Sequence, residues 1–424
     1  MTGALADRAG LLRERLAVQL LFLFSGLLIG TWTARIPAVK RALDLSDGQL
    51  SVALLALATG SIVGMQAAGR LVDRYGAARV LVPVALADGA LLVLPGYAPN
   101  LAGLALCLIA FGAVHGALNI AMNAHAVAVE RAWQRPIMSS FHAVYSIGGF
   151  AGAGIGGAFA QAGLSPATTF AASGALALLL ATVAARGISA GTGAPASEAE
   201  PASTAYPASA ADPHGATDPA GTAGPHGATD PAGAGGTAPP GRLRGVGLLG
   251  LLAFCCLVGE GAAADWSSVY LRDSLGSSAG LAAGAYAAFS LAMMAGRLAG
   301  DRLTTRFGPV GLVRGCGVLA GVGLGTALLV GHPVAGLVGF GCLGAGLSCI
   351  APQVFSAAGH RNPTRSGSAL ARVVGIGYLG FFVGPVLIGG VAELSGLPAA
   401  LAIPALLAIF VALSAPALRI PRPA

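Results

Sequence analysis

Long apolar runs recur along the whole chain, each bounded by charged residues or by clusters of Pro and Gly. An α-helix needs about 20 apolar residues to cross the hydrocarbon core of a bilayer, and twelve runs approach or exceed that length. The runs are continuous rather than alternating with a period of two, so the pattern excludes a transmembrane β-barrel. The predicted spans are 16–34, 49–68, 79–97, 101–127, 138–161, 166–185, 246–270, 279–299, 310–331, 334–357, 367–391 and 398–418.

The positions of the basic residues test this number of spans. With both termini in the cytoplasm, 20 of the 24 Lys and Arg residues fall in cytoplasmic segments. Cytoplasmic loops are enriched in Lys and Arg, and one miscounted span in mid-chain would move every later loop to the other side and remove this bias. We therefore predict a multi-pass protein of the cell membrane with cytoplasmic termini. The four exceptions are Arg35, Lys40, Arg41 and Arg272.

The overall composition agrees with a membrane protein. Charged residues make up 10% of the chain and hydrophobic residues 55%, which leaves too little charge to cover a soluble surface of this size. The net charge of +7 arises in cytoplasmic loops that face anionic lipid headgroups, so nucleic acid is not an expected partner. The lipid bilayer is an expected partner, and we expect the protein to be a monomer.

All six cysteines fall inside predicted spans. They form no Cys-x-x-Cys motif and no Cys/His spacing typical of a metal site, so we interpret them as small packing residues. No metal or other cofactor is expected. An enzymatic function is not expected either, because the polar residues are scattered along the helices without an HExxH motif, a His-rich cluster or a plausible Ser/His/Asp set.

The chain divides into two halves joined by a polar segment. Ala, Gly, Pro, Ser and Thr dominate this segment, a composition that cannot bury a core and predicts a disordered cytoplasmic linker. The stretch at 213–221 is repeated at 225–233, which we interpret as a duplication in a tolerant linker, since its two histidines are too few to hold a metal. The predicted organisation is a cytoplasmic N-terminus (1–15), a six-helix bundle (16–186), the linker (187–244), a second six-helix bundle (245–418) and a cytoplasmic tail (419–424).

Short matches at a nearly constant offset relate the two halves. Each match is weak by itself, but five in the same order indicate an internal duplication. Two parallel six-helix repeats are the architecture of one large class of secondary transporters. We therefore predict an all-α membrane protein with twelve transmembrane helices in two pseudo-symmetric six-helix bundles. The matched pairs are Thr31-Trp32 with Asp265-Trp266, Arg74-Tyr75-Gly76 with Arg306-Phe307-Gly308, Asn123 with Gln353, Glu130-Arg131 with His360-Arg361, and Gly148-x-x-x-Gly152 with Gly380-x-x-x-Gly384.

The turn between the second and third spans carries a longer motif. Residues 69–79 read Gly-Arg-Leu-Val-Asp-Arg-Tyr-Gly-Ala-Ala-Arg, which resembles the signature loop Gly-x-Leu-x-Asp-Arg-x-Gly-x-x-Arg of the major facilitator superfamily. Physically, Gly69 permits a close approach of helices, Asp73 can pair with an Arg at a neighbouring helix end, and Gly76 turns the chain. Together with Arg74, these residues are predicted to take part in gating.

Further stretches resemble one branch of that superfamily, which contains the inner-membrane proteins MosC and YbjJ. The resemblance covers both halves and implies a proton- or gradient-driven transporter with the superfamily fold, and it hints at sugar-like or cyclitol cargo. Members of the branch often carry Asp or Glu where this chain has Asn119, so a carboxylate at that position cannot serve proton coupling here. The stretches are Gly30–Pro37, Met122–Arg131, Ser140–Ala143 and Ala264–Leu271.

Strongly polar side chains at membrane depth are costly, so each one is a candidate functional residue. His115, Asn119 and Asn123 recur every four residues on the fourth span and form one polar stripe. Fourth helices line the cavity in the resembled fold, so the stripe is predicted to bind substrate. A hydrogen-bonded contact between helices is the alternative. Gln353, the repeat partner of Asn123, joins the predicted substrate site.

Four residues lie near the outer ends of the first and seventh spans. Trp32 and Trp266 are predicted to stack on a sugar-like substrate, with anchoring at the membrane interface as the alternative. Arg35 and Asp265 lie at the same level, and an ion pair between them is predicted to close the outer side. A solvated, unpaired end is the alternative for this pair.

Carboxyl groups within the spans are the candidates for proton coupling. Glu260 lies 14 residues into the seventh span, at a cavity-lining position, and is the first candidate. Asp88 lies about 14 Å into the third span at a rise of about 1.5 Å per residue, close to the midplane. Third helices are peripheral in the resembled fold, so a bond from Asp88 to a neighbouring helix is the alternative. His115 is a further candidate for coupling.

The fifth span is rich in glycine. Residues 148–157 are similar to the antiporter motif Gly-x-x-x-Gly-Pro-x-x-Gly-Gly, with Ala153 in place of the proline. Small residues at this spacing also let helices pack closely, which is enough to explain them structurally. We predict a proton-coupled secondary transporter of a small solute, sugar-like, cyclitol or drug-like, that works by alternating access, with efflux slightly favoured over import. A transport-inactive membrane sensor of the same fold is the alternative.

Overall fold

The structure is a computed structural model that describes residues 2–134, 137–188, 245–361 and 366–419. These residues form helices, and no strand is found among them. Within these ranges, twelve helices are long and apolar enough to cross a membrane, which confirms the predicted number. Residues 189–244 of the predicted linker and 420–424 of the tail lie outside the described residues. In chain order, α1 to α12 are Ala9–Ala42, Asp47–Tyr75, Ala77–Tyr97, Leu101–Trp133, Ser140–Gln161, Pro166–Ala185, Val246–Ser274, 279–307, 309–330, Pro333–Ala358, Arg372–Ser395 and Leu397–Leu418, where α8 and α9 are the two parts of the helix Ala279–Val330 that Gly308 interrupts.

The first helix continues beyond its apolar run. Its backbone is helical over Thr2–Ala42, whereas the predicted span ends at residue 34. The helix passes through Pro37, which has no backbone N–H and so leaves the carbonyl of Thr33 without its helical donor. The hydroxyl of Ser268 in α7 donates a 2.7 Å hydrogen bond to that carbonyl. The proline therefore provides an acceptor through which α1 binds α7.

The internal repeat is visible in the backbone. Gly76, between α2 and α3, has φ 82° and ψ 147°, and Gly308, at the corresponding break between α8 and α9, has φ 67° and ψ 163°. Residues other than glycine rarely adopt such angles. The two halves therefore form the same turn, as the repeat predicted. In both turns an arginine guanidinium lies over the aromatic ring before the glycine, Arg74 over Tyr75 at 5.3 Å and Arg306 over Phe307 at 5.5 Å.

Small residues let the helices within each half approach one another closely. In the first half α5 packs along α1 and α4 along α2, and in the second half α11 packs along α7 and α10 along α8 and α9. At Gly152 in α5, a Cβ atom would collide with the backbone carbonyl of Leu27 in α1. Glycines of the fifth span therefore lie at close contacts between helices, as their spacing indicated.

The two halves meet along a seam where α5 packs on α8 and α2 on α11. We define the sealed end as the end of the bundle that holds the turns after α1, α3, α5, α7, α9 and α11. Several polar contacts join the halves there. They are Lys40 and Arg41 with Asp273 at 3.0 and 3.2 Å, the N–H of Gly48 with Glu393 at 2.7 Å, and the N–H of Gly280 with Gln161 at 3.4 Å.

The other end of the bundle is arranged differently. No close packing of α4 against α10 or α11 is found in the described part of the chain. The structure is therefore a conformation in which the halves are held together at the sealed end.

Candidate functional site

A partly buried ion pair lies in the second half, close to the seam. A carboxylate oxygen of Glu260 in α7 is 3.7 Å from a guanidinium nitrogen of Arg297 in α8, and the two side chains are 19% and 26% exposed. The thiol of Cys256, one turn before Glu260, lies 3.9 Å from the same carboxylate. A carboxylate in this position has a cation as its main partner, so its protonation would change the charge at the seam.

Residues on both sides of the seam surround this pair. His142 of α5 lies within electrostatic range of Arg297. Tyr286 of α8 is 5% exposed and lies within electrostatic range of Glu260 and Arg297. We call Glu260, Arg297, His142 and Tyr286 the seam cluster. The cluster brings one side chain of the first half together with three of the second.

Sequence reasoning identified only one member of the seam cluster. Glu260 was predicted, whereas Arg297 was counted among the cytoplasmic charges although it falls inside the predicted span 279–299. Its position within an apolar run was the available signal. His142 and Tyr286 were given no role, because a single His or Tyr in a helix has many structural uses.

The side chains of the predicted polar stripe of α4 do not bind one common partner. Nδ1 of His115 lies 2.9 Å from a carboxylate oxygen of Asp88 in α3, and Asp88 is fully buried. The side-chain amide of Asn123 donates to the carbonyl of Asn119 at 2.8 Å. For His115 the structure therefore shows the contact between helices, which was the alternative, rather than a position in a cavity between the halves.

The orientation of α4 explains this correction. At Gly116 a Cβ atom would collide with the carbonyl of Ser61, so this face of α4 packs on α2. Asn123 is seven residues further on and shares that face, since seven residues make nearly two turns. The stripe thus lies toward α2 and α3, and its predicted contact with substrate has no support in this conformation.

The two predicted aromatic residues are enclosed by protein. Trp32 is 1% exposed and Trp266 is 0% exposed, and neither indole N–H has a hydrogen-bond partner among the described residues. The Trp32 ring packs 5.9 Å from that of Phe170. The rings occupy corresponding places in the two halves, but here they neither face a cavity nor lie at an exposed interface, because neighbouring helices cover them.

The predicted ion pair between Arg35 and Asp265 is not formed. The bond from Ser268 to Thr33 shows that α1 meets α7 near residue 33. Arg35 is two residues, about 200°, further round the helix. Its guanidinium donates a 2.5 Å hydrogen bond to the carbonyl of Leu164 in the α5–α6 turn. The pair is absent in this conformation because of the rotation of α1, which the sequence does not give, and its formation in another conformation stays a prediction.

The signature turn has the predicted bend but not all of its predicted contacts. Gly76 ends α2 with a positive φ of 82°, as expected. A Cβ atom at Gly69 would meet nothing within 4 Å, so no close helix approach occurs there. Asp73 and Arg74 are exposed, and no ion pair to Asp73 is found among the described residues. Its pairing with a neighbouring helix end stays a prediction for another conformation.

Two further polar contacts join helices within the same half of the chain. The amide of Gln353 in α10 donates a 2.9 Å hydrogen bond to the hydroxyl of Thr304 in α8, so it joins two helices of the same half. Nε2 of His125 in α4 lies 3.1 Å from Glu14 in α1, and both side chains are buried. This second His–carboxylate contact was not predicted.

In the described part of the chain, no group of three or more His, Cys, Asp or Glu side chains is placed to hold a metal ion.

Sequence comparisons agree with the motifs. A profile of the Major Facilitator Superfamily matches residues 18–363 and 249–424. An uncharacterized MFS-type transporter of Yersinia pestis is 32% identical over 405 residues, 95% of this chain and 95% of that protein. An uncharacterized transporter of Sinorhizobium fredii is 33% identical over 94% of this chain and 96% of its own. The membrane protein MosC of Rhizobium meliloti is 30% identical over 91% of this chain and 85% of its own.

Solved structures share the arrangement of helices. The crystal structure of the nucleoside transporter NupG has a TM-score of 0.67 at 12% identity, covering 96% of this chain and 98% of that chain. A bacterial homologue of the human lysosomal transporter Spinster, in an inward-facing and occupied conformation, has a TM-score of 0.67 at 14% identity, covering 94% and 95%. At these identities the likeness concerns the fold alone, and it confirms the predicted twelve helices in two six-helix bundles.

Proposed function

The chain belongs to the major facilitator superfamily, and on this premise we propose that it carries a small polar solute across the cell membrane by alternating access. Polar contacts join the halves at the sealed end, and a relative rotation of the halves would separate them. With the predicted topology the sealed end faces outward, so the structure is interpreted as an inward-open state. Transport then requires the contacts of Asp273 and Glu393 to break in each cycle.

Glu260 is the proposed proton carrier, and its ion pair with Arg297 is the observation that carries this proposal. The pair lies 3.7 Å apart next to α5 of the other half. Protonation of Glu260 would remove its negative charge and leave the Arg297 guanidinium free to bind another acceptor, such as a hydroxyl group of a solute. Solute binding would thus depend on whether Glu260 holds a proton.

The seam cluster suits a solute rich in hydroxyl groups. Tyr286, His142 and Arg297 supply hydrogen-bond donors and acceptors from both halves. We therefore propose a sugar-like or cyclitol solute, with a drug-like compound as the second class. Export is slightly favoured over import, since residues 148–157 are similar to the antiporter motif.

The proposal is tested by finding a solute and measuring its flux. A thermal-shift screen of sugars, cyclitols and common antibiotics on the purified protein supplies the solute. Uptake and efflux of the radiolabelled compound are then measured in proteoliposomes with and without an imposed pH gradient. The native protein should accumulate it with the gradient. Glu260→Gln should lose accumulation but keep exchange of labelled for unlabelled solute, because exchange needs no net proton movement.

Asp44→Asn is the matched control for the loss of one carboxylate. Asp44 is exposed, and no ion pair to it is found among the described residues, so accumulation should stay unchanged. Accumulation by Glu260→Gln at the native level would show that Glu260 is not the proton carrier. A native protein that binds a solute but moves none under any gradient would favour the sensor of the same fold.

A further inference from the structure

A cavity of about 470 Å³ opens at the sealed end, away from the seam cluster. Its walls come from the end of α1, the α5–α6 turn, the end of α7 and the start of α8. Three arginines line it, Arg35 and Arg41 from the first half and Arg272 from the second. The cavity therefore collects guanidinium groups from both halves of the chain.

The charge of this cavity is unusual for the side of the membrane on which it is predicted to lie. Only four of the 24 basic residues are predicted outside the cytoplasm. Three of them line the cavity, and the fourth, Lys40, lies 3.0 Å from Asp273, which also pairs with Arg41. Basic residues are normally depleted on the outer side, so their collection at one place indicates a use for positive charge there.

The positive charge is only partly balanced. Arg41 pairs with Asp273 at 3.2 Å, and Lys40 pairs with Asp47 and Asp273. No ion pair to Arg35 or Arg272 is found in the described ranges of the chain. Lys40 also lies within electrostatic range of Glu393, so the carboxylates at this end lie around Lys40 and Arg41. The guanidinium groups of Arg35 and Arg272 are the positive charges left for a ligand.

Arg35 is the group that points most directly to a ligand. Its side chain is 2% exposed and its Nε has no hydrogen-bond partner among the described residues. One terminal nitrogen binds the carbonyl of Leu164, and Arg272 in the same way binds the carbonyl of Ser277. Both guanidiniums are thus held in place by neutral carbonyls, and a buried cation without an anion is costly.

Two helix N-termini add to the positive electrostatic potential of the cavity. α6 begins at Pro166 after its capping residue Ser165, and both line the cavity. α8 begins at Ala279, which also lines it. The N-terminus of a helix carries a partial positive charge that favours anions. These two helix starts face the same space as the arginines.

We propose that this cavity is a binding site for the phosphate group of a soluble phosphate or of a lipid headgroup. A phosphate group carries more than one acceptor oxygen and matches several guanidiniums at once, which a single carboxylate does less well. Because Arg35 and Arg41 belong to one half and Arg272 to the other, the bound anion bridges the halves. It therefore stabilises the conformation in which the sealed end is closed. The site does not depend on Glu260 or on the identity of the solute.

The test uses the full-length protein and measures its melting temperature. In neutral detergent, inorganic phosphate is titrated against chloride at equal ionic strength. In nanodiscs, phosphatidylglycerol is compared with phosphatidylcholine. A saturable rise in melting temperature with inorganic phosphate identifies a soluble ligand. A rise with phosphatidylglycerol that makes added phosphate ineffective identifies the lipid headgroup.

Variants tie the effect to the cavity. Arg272→Gln is expected to weaken phosphate binding by about tenfold, since one charge-assisted contact is lost. Arg41→Gln serves as a second variant because its side chain is 45% exposed and its folding risk is low. Arg314→Gln, an exposed arginine on α9, is the matched control and should bind as the native protein does.

Two results would overturn the proposal. One is the absence of any saturable shift in both detergent and nanodiscs beyond that of chloride or phosphatidylcholine. The other is an equal shift in the native protein, Arg272→Gln and Arg41→Gln, because binding would then lie elsewhere on the protein.

Discussion

Lys40, in the last turn of α1, lies 3.0 Å from the carboxylate of Asp273 near the end of α7, and this ion pair joins the two halves of the chain. The same ammonium group lies 2.7 Å from Asp47, and Arg41 lies 3.2 Å from Asp273. Asp273 thus accepts two cations of the opposite half. Asp273 was not among the gating residues predicted from the sequence, because a charged residue at the end of a helix is usually only solvated.

Replacing Asp273 by Asn is expected to open the sealed end more often. The two ion pairs are partly exposed and together contribute about 1 kcal/mol, which corresponds to about a fivefold change in the ratio of conformations. The change is measured with spin labels at Tyr97 and Leu329 in a cysteine-free background, since both residues are exposed and lie at this end in different halves. A larger fraction of molecules should then have a long distance between the two labels. Asp44→Asn should give the native distribution, and an identical distribution in both variants would show that the pair does not hold the end closed.

Gly152→Ala is expected to lower the melting temperature. Its new methyl group would collide with the carbonyl of Leu27, so α1 and α5 must move apart, at a cost of about 1–3 kcal/mol. Gly154→Ala on the same helix is the matched control, because a Cβ atom there meets nothing within 4 Å. Equal melting temperatures for the two variants would mean that α5 has room to shift.

Asp88→Ala is expected to reduce stability but not proton coupling. It removes the partner of His115 in a fully buried contact, which costs about 1–3 kcal/mol. The double variant with His115→Ala should lose less than the sum of the two single losses, because both remove the same contact. Gradient-driven flux per folded protein is the second measurement. Its loss in Asp88→Ala, with the melting temperature unchanged, would make Asp88 the proton carrier instead of Glu260.

Alanine at Gly76 and at Gly308 is expected to destabilise the protein to a similar degree. Both positions have positive φ values, 82° and 67°, with ψ near the extended range, where a side chain costs about 1–3 kcal/mol. Gly325→Ala, in the helical part of α9 with open space around it, should be neutral or slightly stabilising. Clearly unequal losses at Gly76 and Gly308 would show that the two turns are not equivalent.

The number of helices, the repeat and the turns at Gly76 and Gly308 could be predicted from the sequence because each depends on local properties. A helix crosses the bilayer when enough consecutive residues are apolar, whatever its neighbours are. A turn with a positive φ requires glycine at one position, and that glycine is visible in the sequence. The family resemblance depends on short motifs and was likewise readable without a structure.

Side-chain partners required the tertiary structure, because they depend on how each helix is rotated and which helix lies beside it. Arg35 and Asp265 were expected at one level of the bundle, yet Arg35 binds Leu164 because it points to another side of α1. His115 binds Asp88 rather than the space between the halves. Arg297 resembles one more basic residue near a span end until folding places it 3.7 Å from Glu260. Spacing along one helix restricts which residues share a face, but packing between helices decides what that face meets.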